Sequence, residues 1–342
     1  MKNIGGNALV IREVNINLVR KELKEQGQAT KRLIAENTGL SIVTVGTVLQ
    51  YLVEQQEVRE GDMISSSGGR PAQQYIYNDE HSLALILFPY EEDSGIQIRR
   101  TVVTLSGRRL HEVSIPVNRI DLSSFETLID EAMLQYSAIQ AIGFGLPGAE
   151  IDGKMLVSDY IALRDISVTE HFKNRYGKPV VLENDVNAAV IGYCNRLQET
   201  AESSVVYMYF PDRFGPGAGI YINGRLHKGK RGFAGEVANI PLGIPWGDPS
   251  LITSFERITE AIAKLTAAVN SVLNPDLVVL YGSFLTDHHL RSVVEQCSLF
   301  LPGSTVPDIR LTEDFAADYL QGMIVQTLRT LEPGLQLTKS ET

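Results

Sequence analysis

The sequence has little of what would tie it to a membrane, an oxidising compartment or a bulk electrostatic hold on nucleic acid. Its 342 residues contain two cysteines, Cys194 and Cys297. Their spacing fits no metal site and supplies no disulfide framework. The longest apolar run near the middle of the chain, residues 83–88, is far too short to cross a bilayer. Met1-Lys2-Asn3-Ile4-Gly5 opens without the apolar core of a signal peptide. A cytoplasmic location with no membrane partner is therefore expected. Positive charge is also short: 31 Lys and Arg against 41 Asp and Glu leave a net −10. Residues 1–80 are near neutral, so the excess of acid lies in the remainder. Bulk charge gives DNA binding no support, and any such reading must rest on local geometry.

What is present is an ordinary soluble composition, 44% apolar, at a length sufficient for two or three domains. Residues 14–26 carry a helical apolar period at Ile16, Val19 and Leu23, closed by Gly27. Thr30 caps a short helix over residues 31–38, Gly39 closes it, and Ser41 caps a third helix running to about Gln55. Counted from Lys31, Ala35 falls fifth, Gly39 ninth, Val45 fifteenth and Val48 eighteenth. A helix-turn-helix needs that pattern: a small residue where the helices cross, a glycine in the turn, and apolar residues that pack the second helix on the first. Residues 58–77 read as a β-hairpin wing with a Ser- and Gly-rich tip that carries Arg70.

By position, the start of the third helix would face a major groove. Ile42, Val43 and Thr47 are the base-edge candidates, Ser41 and Thr44 the phosphate candidates, and Arg70 a minor-groove candidate. The sequence leaves open whether Ile42 and Val43 are instead buried, and whether Arg70 is a solvated charge or pins the wing to the next domain. A module of this kind is expected to bind a double-stranded operator as a homodimer, because one reading helix makes too few contacts.

From about residue 81 the texture changes to α/β. A meander of strands (83–88, 96–105, 110–116) is followed by a helix (122–138) and a buried strand (141–145). After it come a helix ending at 171–176, a buried strand over 180–183 and a helix over 185–196. The pattern recurs with strands at 204–209, 217–221 and 277–281, a long helix over 250–273 and a closing helix over 316–331. Two similar lobes with a cleft between them are expected, with 1–80 and 81–342 as the two domains.

Several motifs stand in order along this region. They are Gly69-Arg70-Pro71 in the wing, Gly143-Phe144-Gly145-Leu146-Pro147-Gly148, and Leu182-Glu183-Asn184-Asp185-Val186-Asn187-Ala188-Ala189. Gly217-Ala218-Gly219-Ile220, Ala234-Gly235-Glu236 and Leu273-Asn274-Pro275-Asp276 follow. In this order the chain resembles the ROK family, whose members are sugar kinases and sugar-responsive repressors. The resemblance covers nearly the whole chain and implies a winged helix-turn-helix ahead of a two-lobed actin-like (ribonuclease H-like) domain.

The resemblance also implies site residues. Asp185 matches the family's catalytic base, Asn184 and Asp185 would hydrogen-bond sugar hydroxyls, and Glu236 matches its sugar-binding glutamate. The bland readings are that Asp185 caps the helix beside it and that Glu236 satisfies backbone donors in a turn. Against the family's pattern, the first phosphate turn is Pro89-Tyr90-Glu91-Glu92-Asp93-Ser94-Gly95, without paired glycines, and the second is Pro211-Asp212-Arg213-Phe214-Gly215. The zinc-binding histidine is replaced by Asn239, and residues 244–254 hold no cysteine. Tyr160 stands near the place of a sugar-contacting asparagine. No catalytic residue, no metal and no cofactor are therefore expected.

Lys228, Lys230 and Arg231 would suit a phosphorylated ligand or form a solvated cluster, and Trp246 would stack on a sugar or pack. The expected function is a sequence-specific DNA-binding regulator, a repressor of carbohydrate genes, controlled by a sugar or sugar phosphate in the cleft. The alternatives are a sugar kinase with a DNA-binding appendage, and a regulator that answers to a protein partner.

Overall fold

The computed structural model describes residues 4–64, 71–92, 95–151, 153–158, 160–197 and 203–332. Arg70 lies outside the described residues. The chain begins with α1 (Ile4–Gln26), β1 (Gln28–Thr30), α2 (Lys31–Thr38), α3 (Ile42–Glu54), β2 (Val58–Ile64) and β3 (Ala72–Tyr77). Thr30 and Ser41 cap α2 and α3 by accepting the Leu33 and Thr44 N–H groups, and Gly39 makes the turn between them at φ 71°. Val45, Val48, Leu49 and Leu52 turn one face of α3 onto Ile16, Val19, Leu23 and Ile34. The hairpin β2–β3 is joined by β1, which pairs antiparallel with β3 and was not expected from three residues of sequence.

The larger part is a duplication. Lobe I contains β4 (Leu83–Glu92), β5 (Gly95–Thr104), β6 (Arg109–Pro116), α4 (Leu122–Gln135) and β7 (Ile139–Gly145). A small hairpin follows, β8 (Gly148–Ile151) and β9 (Lys154–Ser158), then α5 (Val168–Tyr176), β10 (Val180–Glu183) and α6 (Asp185–Leu197). Lobe II contains β11 (Val205–Tyr209), β12 (Gly217–Ile222), β13 (Arg225–Leu226), α7 (Pro249–Thr253) and α8 (Phe255–Leu273). It continues through β14 (Leu277–Tyr281), α9 (Asp287–Phe300), β15 (Asp308–Leu311) and α10 (Phe315–Arg329). Spatial orders are β6-β5-β4-β7-β10 and β13-β12-β11-β14-β15. In each lobe the first three strands form an antiparallel meander, and the last two join the first strand in parallel.

The helix following the fifth strand of each lobe crosses to the other lobe. α6 packs its Val186, Ala189, Val190 and Tyr193 against Val205, Tyr207, Leu277 and Val279 of sheet II. α10 packs Tyr319, Leu320, Met323 and Ile324 against Ala84, Ile86, Val103 and Ala141 of sheet I. The outer faces are covered by α4 and α5 on lobe I and by α8 and α9 on lobe II. Where α6 and α10 cross, each offers a glycine. A Cβ on Gly192 would run into the Asp318 carbonyl, and one on Gly322 into the Ala188 carbonyl. Beside the crossing, the fully buried Asp318 accepts from Arg196 (2.6 Å), Thr312 (2.9 Å) and Tyr207 (3.3 Å). Burial pushes its carboxyl above the usual range against the pull of those donors.

The long helix expected over 250–273 is two helices, because Ser254 ends α7 and caps α8 by accepting the Arg257 N–H. Gly322→Ala is expected to cost about 1–3 kcal/mol, as overpacking does in a filled interior. Gly303→Ala, with open space around it, is expected within about 0.5 kcal/mol of wild type. Denaturant unfolding of both variants checks the pair.

Candidate functional site

Two places stand out, the cleft between the lobes and the exposed end of α3. In the cleft, β10 delivers its last residue, Glu183, and α6 starts at once. Asn184, not Asp185, is the principal cap: its Oδ1 accepts from the Val186 N–H (3.0 Å) and the Asn187 N–H (3.2 Å). Its amide N–H groups find no acceptor among the described residues and are the part of Asn184 able to meet a ligand. Asp185 is half-buried and accepts from the Val186 N–H at 2.9 Å. Burial, and next the Asp185 charge, push the Tyr209 hydroxyl up to about 12 and the Tyr319 hydroxyl well above its usual value. The Asp185 charge thus reaches both tyrosines. Tyr160 and Glu183 add to the effect at Tyr319.

Glu183 was not singled out from sequence, yet it is the best-partnered carboxylate here. At 2% exposure it accepts from the Asn184 N–H (3.1 Å), Asn187 Nδ2 (3.4 Å) and Gln326 Nε2 (3.1 Å), and pairs with Lys228 Nζ at 2.8 Å. Lys228 follows β13 of lobe II, so this pair ties the lobes across the cleft. It also corrects the sequence expectation for Lys228, whose charge is spent on Glu183. The only warning in the sequence was a charged residue closing an otherwise apolar strand. Glu236 is exposed, beside the start of β12.

The two segments that stand in place of phosphate turns are both engaged within the protein. β4 continues in strand to Glu92, pairing Phe88 with Arg99 and Glu92 with Gly95, so its backbone is spent on the ladder. In the second turn, Asp212 accepts from the Ser283 hydroxyl at 2.7 Å, which puts a carboxylate where phosphates would need donors. A depression of about 720 Å³ lies beyond it, at the ends of β14 and β15, bounded by Gly282, Thr286, Arg310 and Glu313.

The floor of the cleft is aromatic. Phe88 lies 4.7 Å from Tyr319, Tyr319 5.9 Å from Phe315, and Phe315 stacks on Tyr209 (4.4 Å) and Tyr281 (5.4 Å). The chain of rings runs from sheet I through α10 to sheet II. Trp246 is packed 6.0 Å from Phe210 in lobe II.

At the other place, Ile42 is 57% and Val43 79% exposed, so the buried reading of both is corrected: the apolar face of α3 begins only at Val45. Thr47 is exposed and donates to the Val43 carbonyl. Ser41 and Thr44 share a 2.8 Å hydrogen bond. Arg12 and Lys31 flank the helix, lying over the Tyr51 and Tyr75 rings.

The larger part is thus a two-lobed α/β fold, a duplicated β-meander with exchanged helices. Residues 95–245 match the model of the ROK family. It is similar to the xylose repressor of Bacillus subtilis, 24% identical over 288 residues that make up 83% of this chain and 74% of the repressor. It is also similar to the DNA-binding transcriptional dual regulator NagC of Escherichia coli, 25% identical over 282 residues, 79% of this chain and 67% of NagC. Among solved structures, a ROK family transcriptional regulator described as a homolog of the E. coli MLC protein superposes with a TM-score of 0.65. The match is 17% identical and covers 94% of this chain and 97% of that one. The ROK hexokinase of Thermus thermophilus superposes at 0.61, 20% identical, over 73% of this chain and 99% of that one.

Glu183→Ala is expected to cost about 1–3 kcal/mol, because it strands the Asn184 N–H and the Gln326 amide. Lys228→Ala is expected to cost less, since Lys228 is 48% exposed and its pair is partly screened. Urea unfolding of the two variants checks the order.

Proposed function

We propose that this protein is a DNA-binding transcriptional repressor of carbohydrate-metabolism genes, acting as a homodimer and controlled by a sugar or sugar phosphate in the inter-lobe cleft. The carrying observation is the first turn of α3. Apolar Ile42 and Val43 stand exposed at the capped start of a helix whose other face is fully buried. Such a turn is suited to thymine methyls and base edges in a major groove. Ser41 and Thr44 would serve the phosphates, Thr47 a base edge, and Arg70 the minor groove. The similarity to the xylose repressor and to the DNA-binding transcriptional dual regulator NagC supports the same reading.

Control runs through α10. Its first turns hold Phe315 and Tyr319 in the cleft, and beyond its far end Glu332 approaches Lys24 of α1 at 3.9 Å. A ligand held by Asn184, Asp185 and Glu236 that favours one lobe arrangement shifts the helix that touches the DNA-binding part. The ligand must bind the two arrangements with different affinity.

A sugar kinase is the second reading, favoured by the superposition on a hexokinase fold. The strand-bound backbone of residues 88–92 and the carboxylate of Asp212 speak against phosphoryl transfer, which depends on a positioned phosphate cradle. In a coupled ATP-turnover assay with a hexose panel no activity is expected; turnover that Asp185→Asn abolishes would establish the kinase.

For DNA binding, duplexes are selected from a random library with wild type and then titrated with Val43→Asp. At least about tenfold weaker binding is expected, since a base-edge contact is worth about 1–3 kcal/mol. The thermal midpoint should not move, because the side chain is exposed. Unchanged affinity for the selected duplex would remove α3 from the interface.

A further inference from the structure

Most cations of the N-terminal part are already engaged. Among its described residues, Arg20 pairs with Glu57, Lys21 with Glu25, Lys24 with Glu332 and Arg32 with Glu36. Arg59 donates to the Asn78 side chain. The basic residues left are Arg12 and Lys31, which make no ion pair among the described residues, and both lie beside α3. The Arg12 guanidinium stands 5.3 Å over the Tyr51 ring, and Lys31 Nζ 5.8 Å over the Tyr75 ring. Lys31 also lies across α3 at Gly46, where an added Cβ would meet its Nζ at 3.4 Å.

The two cations stand on opposite flanks of the helix. At about 100° per residue, Gly46 lies about 140–160° round from Thr44 and Tyr51. Exposed Val43, Thr47 and Gln50 fall between these flanks on the open side. Val45, Val48, Leu49 and Leu52 fill the other side. On the Arg12 flank a hollow of about 360 Å³ separates α1 from α3, bounded by Arg12, Asn15, Thr44, Thr47 and Tyr51.

We propose that Arg12 and Lys31 are phosphate anchors that grip the two walls of a DNA major groove, one strand each, with the exposed stripe of α3 between them. The proposal rests on α3 being the reading helix, and it adds the contacts that fix how this helix lies in the groove. The groove is about 12 Å wide and a helix with its side chains about 10–12 Å across. A seated helix therefore presents its flanks to the two sugar-phosphate walls, each within reach of one long side chain. A duplex supplies what Arg12 and Lys31 lack, an anion on each side of the helix. The chain's net −10 gives no general attraction to DNA, so the attraction must come from cations placed at the contact. Packing on the Tyr51 and Tyr75 rings restrains both stems, which lowers the entropy lost when they meet a phosphate. The hollow brings the Asn15 amide and the Thr44 hydroxyl to the same wall as Arg12, and both can donate.

The test uses the full chain, the duplex selected with wild type, and an unrelated duplex of equal length. Affinities are read by fluorescence anisotropy from about 50 to about 200 mM salt, the range over which phosphate contacts show. Wild type is compared with Arg12→Met, Lys31→Met and Lys21→Met, the last removing a cation that is already paired further along α1. Arg12→Met and Lys31→Met are each expected to weaken both duplexes by about three- to tenfold and to lower the salt slope by about one per protomer. Lys21→Met is expected to change neither. Arg12→Gln and Lys31→Gln make the same measurement where a methionine variant does not fold. Neutral methylphosphonate links are then scanned along each strand of the selected duplex. The links that weaken wild type but not Arg12→Met are expected on one strand, and those that Lys31→Met ignores on the other, across one major groove.

An unchanged salt slope in either variant, with wild type binding the selected duplex, would overturn the anchors and leave α3 as the reading helix. A loss confined to the selected duplex would mark base contacts and overturn the phosphate assignment. Both sets of links on one strand would overturn the grip on two walls. If wild type selects no duplex from the library, the anchors and the reading helix fall together.

Discussion

The contact on which this structure depends is the crossing of α6 and α10 at Gly192 and Gly322. Each helix grows from one lobe and lies on the sheet of the other. The two backbones come so close that no side chain fits between them. Because α6 begins at Asn184 and Asp185, and α10 begins at Phe315, the same crossing sets where the cleft's polar groups stand relative to its aromatic floor. A shift of one helix against the other is therefore a shift of the site, and packed interfaces of this kind move between discrete arrangements rather than deforming smoothly.

Two further ties span the lobes, and they differ in kind. The ring chain from Phe88 to Tyr281 is apolar, without a preferred charge state, and tolerates sliding. The Glu183–Lys228 pair is polar and directional, and one of its members is 2% exposed while the other reaches solvent. Opening the cleft costs the second tie more sharply than the first. A carboxylate left in a low-dielectric setting without its cation keeps only the three neutral donors around it.

How much could be read in the sequence follows the range of the interactions involved. The helix-turn-helix spacing, the caps at Thr30 and Ser41 and the strand at residues 277–281 are local, and the structure has them at those positions. The meander followed by strand–helix alternation was legible twice over. α9 and β15 were missed: α9 is half polar, and β15 is four residues long. The sequence offered Asp185 as the cap of α6, and Asn184 is the principal one; two adjacent side chains could each have capped, and only the geometry separates them. The ring chain joins residues of β4, β11, β14 and α10, which lie far apart in the sequence. No local pattern marks such a set. The exposed Ile42 and Val43 were ambiguous for another reason, since apolar character reads the same on a buried turn and on a surface meant to be covered.

The exchange of helices has a consequence for synthesis. The apolar face of sheet I formed by Ala84, Ile86, Phe88, Val103 and Ala141 is complete once β7 has been made, but its cover, α10, is translated last among the described elements. At the usual pace of translation, that face waits on the order of ten seconds or more for its partner. The N-terminal part, whose core draws on residues 16–77, can be finished long before. The nascent chain therefore carries a folded N-terminal module ahead of a half-covered sheet, and this interval is when the protein most needs a chaperone's shelter.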